Sequence, residues 1–126
     1  MRMTGKARDK GNRYERDLVK AFNDLPNIYA ERTWGSNGAT KGLSTKVDLV
    51  IDHYDETYYA QAKNYKLANL PTGFKTFCYS ILEDVSMGFV KEEGSKVDKS
   101  FVIMKLETLL KIIKSSDDST TNLEAR

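Results

Sequence analysis

At 126 residues the chain has the length of one domain, enough to bury roughly two thirds of the surface its unfolded form would expose. Hydrophobic residues at 40% and charged residues at 30% describe an ordinary soluble protein, and no apolar run nears the ~18 residues of a membrane-spanning helix. The single cysteine, Cys78, excludes a disulfide framework, and the basic N-terminus lacks the apolar middle section of a signal peptide, so a cytoplasmic protein is expected. Net charge is only +2, yet residues 1–20 hold seven Lys and Arg against three acidic residues, a local +4. Such an end suits a polyanion, and residues 1–10 equally suit a solvated, flexible basic arm.

In chain order, Tyr14, Leu18, Ala21, Phe22 and Leu25 recur at the spacing of one helix face, which predicts a first helix from Asn12, stopped by Pro26 and Asn27. NIYAERTW reads as a short strand. GSNGATKGLSTK follows, a polar stretch with three glycines, too long for a tight turn and either mobile or ordered by a ligand. KVDLVIDHYDETYYAQAK supplies two strands joined by a polar turn. Phe74, Phe77, Cys78, Ile81, Leu82 and Val85 then lie at helical spacing behind Thr72 as N-cap, with Cys78 read as a core residue. MGFV and SFVIM read as two further strands around the charged turn KEEGSKVDK, and LETLLKIIK as a terminal helix. From Ser115 to residue 126 the tail is polar without periodicity and reads as disordered, leaving a domain over residues 11–114. This order of elements predicts an α/β fold with a central mixed five-stranded sheet flanked by helices.

The two central strands allow a register argument. With His53–Glu56 as a four-residue hairpin loop, Asp52 faces Thr57 and Asp48 faces Gln61, Cβ atoms ~5 Å apart. Alternation then puts Asp48, Val50, Asp52, Thr57, Tyr59, Gln61 and Lys63 on one face, and Val47, Leu49, Ile51, Tyr58, Ala60 and Ala62 on the other, apolar face. A slip by one residue would break both the apolar face and the polar cluster. The plain alternative is an incidental ion pair between Asp48 and Lys63 on a solvated face. An oxygen-rich cluster of this kind can bind a hard cation, since Mg²⁺ takes one or two carboxylates plus waters and phosphate oxygens at about 2.0–2.1 Å, and amide oxygens also serve. Gln61 would contribute its side-chain oxygen without charge, and Lys63 would stabilise charge on a phosphorus centre under attack or orient the attacking water. His53 reads as a solvated turn residue.

Asp48 followed by Gln61-Ala62-Lys63, preceded by KGNRYERDLV and a Gly/Ser loop, resembles the PD-(D/E)XK nuclease superfamily, and most closely the archaeal-type Holliday-junction resolvases. The resemblance covers residues 10–113 and implies a restriction-endonuclease-like fold and metal-dependent hydrolysis of DNA phosphodiesters. It implies Glu15 as the helix-borne metal ligand, Asp48 as the central ligand, Lys63 as the catalytic lysine and Ser36 as the loop serine that arranges the scissile phosphate. Asn12 to Glu15 also has the spacing of a capping box, and Ser36 also reads as loop filler. Gln61 departs from the pattern, which expects Glu. It is either natural, as in the Gln-X-Lys of Mrr-like restriction enzymes, or a near-isosteric replacement of Glu that attenuates or disarms the enzyme; in both cases one negative charge is missing.

What the resemblance implies is a crossover-junction endodeoxyribonuclease using Mg²⁺, with Mn²⁺ able to substitute, held by Glu15, Asp48, Gln61 and the carbonyl of Ala62. Arg8, Lys10, Arg13, Arg16, Lys41 and Lys46 are the expected phosphate contacts, which fix position without reading sequence. A four-way junction has two symmetry-related strands to cut, so a C2 homodimer matches the substrate, with SFVIM and LETLLKIIK the apolar segments available for it. The competing expectations are a restriction- or repair-type nuclease acting on duplex DNA, a catalytically silent DNA-binding module of the same fold, and an α/β domain that binds no nucleic acid.

Overall fold

The computed structural model describes residues 5–33, 46–66, 70–83 and 85–124, with side chains described for 11–33, 46–66, 71–81 and 85–116. The elements follow the expected order: α1 (Gly5–Asn23), β1 (Ile28–Arg32), β2 (Leu49–His53), β3 (Glu56–Tyr65), α2 (Leu70–Glu83), β4 (Met87–Glu92), a 3-10 turn (Val97–Lys99), β5 (Phe101–Met104) and α3 (Leu106–Glu124). The five strands form one mixed sheet in sequence order, β1-β2-β3-β4-β5. Its pairs are antiparallel except β3–β4, which runs parallel because α2 carries the chain back across the sheet. The protein is therefore α/β, with an open five-stranded mixed sheet and three helices. Among the described residues no helix is long and apolar enough to cross a membrane.

Period-two alternation sends neighbouring residues to two cores. On one face Tyr14 and Leu18 of α1 pack with Ala30, Leu49, Ile51, Tyr58, Ala60, Ala62, Met87 and Phe89. On the other, Phe77 and Ile81 of α2 pack with Val47, Val85 and Val90, and Val50, Tyr59 and Tyr65 close around them. The face expected to be polar is thus partly a second core. Gly88 makes close docking of α2 possible, since a Cβ there would meet the Phe77 ring at 2.7 Å. On the α1 side Tyr14 is anchored by its hydroxyl, which donates to Ser100 Oγ at 2.8 Å. Burial pushes that phenol up to about 12, and the Ser100 bond offsets a little of the rise, so the hydroxyl keeps its proton.

The β2–β3 register is the expected one, Asp52 opposite Thr57 and Leu49 opposite Ala60. The hairpin is tighter than expected, because His53 pairs with Glu56 and leaves only Tyr54 and Asp55 in the turn, with Tyr54 at φ 55°. Other expectations are corrected. α1 begins at Gly5, seven residues before Asn12, so Asn12 lies mid-helix and cannot form a capping box with Glu15. Leu25 falls beyond the helix and is 59% exposed. α2 begins at Leu70 with Pro71 in its first turn, where a missing N–H costs nothing, so Thr72 is helical and not the N-cap. Cys78 is exposed, because Gly73, Phe77, Ser80 and Ile81 form the buried face and Cys78 lies off it. α3 runs on through the polar stretch to Glu124, since an existing helix extends at little cost without an apolar face. His53 is half-buried rather than a solvated turn residue, with Nε2 3.5 Å from Ser116 Oγ and Nδ1 buried without a partner.

Candidate functional site

The site lies where β2 departs from β3. Their ladder ends at Leu49–Ala60, one pair short of the expected Asp48–Gln61 pair. Val47 joins the α2-side core and not, as expected, the face of Leu49 and Ile51, so the chain crosses between the two faces at Asp48. Backbone bonds hold the crossing: Thr33 N–H donates to the Asp48 carbonyl at 3.0 Å, Asp48 N–H to the Ala60 carbonyl at 2.8 Å, and Thr33 Oγ1 to the Val47 carbonyl at 2.7 Å. The Asp48 carboxylate then takes the place of the departed strand, accepting the Ala62 N–H at 2.9 Å. Asp48 thus stands at the edge of β3, within electrostatic reach of groups from both sides of the sheet.

Those groups include three of the expected residues. Burial raises the Glu15 carboxyl first, the Asp48 charge raises it further, and the Arg32 and Lys63 charges pull it back. Asp48 is raised by burial too, against the Ala62 N–H bond and the Lys63 and Arg32 charges. Two carboxylates and the exposed Lys63 ammonium therefore share one electrostatic neighbourhood, at a junction of helix α1 with strands β2 and β3. Gln61 is 8% exposed, and its Oε1 is buried with no hydrogen-bond partner. An amide oxygen in that state is costly unless something satisfies it. Among the described residues no group of three or more His, Cys, Asp or Glu side chains comes together.

Arg32 was not anticipated. Its Nε donates to Glu15 Oε1 at 3.2 Å and its Nη2 to Asn12 Oδ1 at 2.9 Å, with both charged side chains largely shielded from solvent. The signal was in the strand itself, because Arg32 sits two residues after the buried Ala30 and so turns a guanidinium toward α1. Of the expected phosphate contacts, Arg13 and Arg16 are exposed on α1 and Lys46 is half-buried just before the crossing. The side chains of Arg8 and Lys10 lie outside the described residues, as do Ser36 and Lys41.

No family model matches the sequence, and neither a curated protein nor a solved structure shows significant similarity to it.

Proposed function

We propose that this chain is a metal-dependent endodeoxyribonuclease of the PD-(D/E)XK kind, with a restriction-endonuclease-like fold, cutting branched four-way DNA junctions as a homodimer. The observation that supports it most is that Asp48, fixed by the Ala62 N–H where β2 leaves β3, shares one electrostatic neighbourhood with Glu15 and Lys63. A divalent cation fits this donor set chemically: two carboxyls that burial raises, Glu15 further raised by the Asp48 charge, gain from a cation, and the buried Gln61 Oε1 lacks a partner. Glu15, Asp48, Gln61 and the Ala62 carbonyl would hold Mg²⁺ or Mn²⁺, which when bound would polarise the phosphodiester and lower the pKa of a bound water.

The chain's own residues do the rest. The Ala62 N–H fixes the Asp48 carboxylate, and Arg32 fixes Glu15 while balancing its charge. Lys63, exposed at the crossing, neutralises charge developing on the phosphodiester oxygens. Arg13 and Arg16 on the exposed side of α1 hold neighbouring phosphates.

A second reading, a DNA-binding module without cleavage, is favoured by one feature: among the described residues only two carboxylates are brought to this site, and Arg32 already engages one of them. Cleavage assays on four-way junction and linear duplex DNA with Mg²⁺ or Mn²⁺ separate the two, using the parent, Gln61→Glu and Asp48→Asn. The nuclease cuts junctions preferentially, gains or keeps activity in Gln61→Glu, and is dead as Asp48→Asn. If Asp48→Asn cuts like the parent, the assignment of the site is wrong; if even Gln61→Glu cuts nothing while junctions still bind, the module reading holds.

A further inference from the structure

Between α1 and the β3–β4 pair lies a cleft of about 400 Å³ that shares only Arg13, at its wall, with the proposed chemistry. Its floor is built by strand neighbours, Asn64 of β3 and Lys91 of β4, which are register partners in the parallel pair. Its wall comes from α1, through Arg13, Tyr14 and Asp17, and Glu93 completes the rim. Lys91 is only 9% exposed, yet no carboxylate pairs with it among the described residues. Its ammonium donates to the Ser95 carbonyl at 2.7 Å and more weakly to the Glu92 carbonyl at 3.4 Å, and stands 5.7 Å from the centre of the Tyr14 ring. An ammonium has three donors, so one is left over. Beside it the Asn64 Oδ1 is buried and accepts nothing. A buried cation without a counter-ion and a buried amide without a partner, on adjacent strands, both carry a desolvation cost that a bound group would remove.

The chemistry of that group follows from what lines the cleft. Arg13 and Lys91 are balanced by Asp17 and Glu93, so a phosphate would gain little net attraction inside it. A spare donor next to a spare acceptor instead matches the edge of a neutral heterocycle that offers an acceptor beside an amino or imino N–H, and the volume suits one nucleotide. We propose that this cleft receives a single unpaired nucleobase, with Lys91 donating to a ring or carbonyl acceptor and the Asn64 amide completing the pair. The base would be one extruded from DNA beside the cut, because the cleft is walled by Tyr14 and floored by Asn64, the immediate chain neighbours of Glu15 and Lys63. In that respect the inference rests on the nuclease reading.

The test is an NMR titration of the full chain, without metal, using dCMP as the base-bearing probe and 2-deoxyribose 5-phosphate and inorganic phosphate as base-free controls. Saturable shifts at the amides of Asn64, Lys91, Gly94 and Ser95 are expected with dCMP and not with the controls. Lys91→Met and Asn64→Leu should each weaken dCMP by about tenfold or more, the loss expected when a hydrogen bond to a buried partner is removed. Asn64→Leu alone carries the comparison if Lys91→Met does not fold. In the parent and in Gln61→Glu, dCMP binding without DNA cleavage would retire the nuclease and leave this site, and cleavage without dCMP binding would do the reverse. Equal saturation by either base-free control, no saturable shift at these amides, or unchanged affinity in Asn64→Leu would overturn the proposal.

Discussion

Two helices of 19 residues each, α1 and α3, lie at the two ends of the described fold, and they differ in what their apolar side chains do. α1 is rich in charge, yet Tyr14 and Leu18 are buried and the rest of the helix supplies Glu15 and the guanidinium-bearing outer face. α3 is the more apolar of the two, yet Leu106, Leu109, Leu110 and Ile113 are 42–67% exposed. It touches the domain through Ile112 against the α1-side core, the 3.0 Å Lys111–Glu56 ion pair and the contact of Ser116 with His53. Composition therefore does not tell which helix completes the core. The stripe of α3 residues at i, i+3, i+4 and i+7, next to the exposed Phe101 and Val102 of β5, is a surface apolar enough to join two copies, and it is where the proposed homodimer would form.

The contrast can be broken by measurement. The largest effect belongs to the α1 side: Asp48→Asn should lower junction cleavage by at least about a hundredfold, as loss of a group acting on the reacting phosphodiester does. Next, Leu18→Ala should cost about 2–5 kcal/mol in denaturant unfolding, whereas Leu110→Ala should stay within about 0.5 kcal/mol. Equal costs would mean that α3 is packed as tightly as α1. Gly88→Ala should cost about 1–3 kcal/mol, because the Phe77 ring stands where the methyl group would go and is itself fully enclosed. The double change Leu110→Ser with Ile113→Ser should leave unfolding nearly unaltered and convert dimer to monomer in sedimentation experiments; an unchanged mass would remove α3 from the interface.

The smallest effect concerns pH. Asp48 binds its proton more tightly folded than unfolded, so its contribution to stability falls as pH rises from the ordinary aspartate range through its raised value. Asp48→Asn should match the parent in acid and melt at equal or higher temperature near neutrality. A lower melting temperature at neutral pH would show that the charge on Asp48 stabilises the fold.

Element order and the β2–β3 register were legible in the sequence because strand alternation and the hairpin leave little choice once one face must be apolar. What was not legible arises from contacts between segments far apart in the chain. Alternation alone could not reveal that it breaks at Val47, because that depends on Thr33, just past β1, gripping the crossing from outside the hairpin. Cys78 fits helical spacing as well as Ile81 does, and only the direction from which the sheet approaches α2 separates them. Glu15, Asp48 and Lys63 were named from a motif, and the charges of Asp48 and Lys63 both act on Glu15. Arg32 and Lys91 were passed over because charged residues in strands are ordinarily taken as solvent-facing, and each is instead turned toward α1.

The parallel pairing of β3 with β4 has a consequence for biosynthesis. Glu15, Asp48, Gln61 and Lys63 all leave the ribosome before Met87–Glu92 does, so a nascent chain carries the whole candidate centre while one rim of β3 still has unbonded amides. Until β4 arrives, a second polypeptide can zip onto that rim, and slow translation through residues 66–86 would lengthen the exposure. Yield in cells should therefore depend on codon usage in that interval more than on codon usage after it.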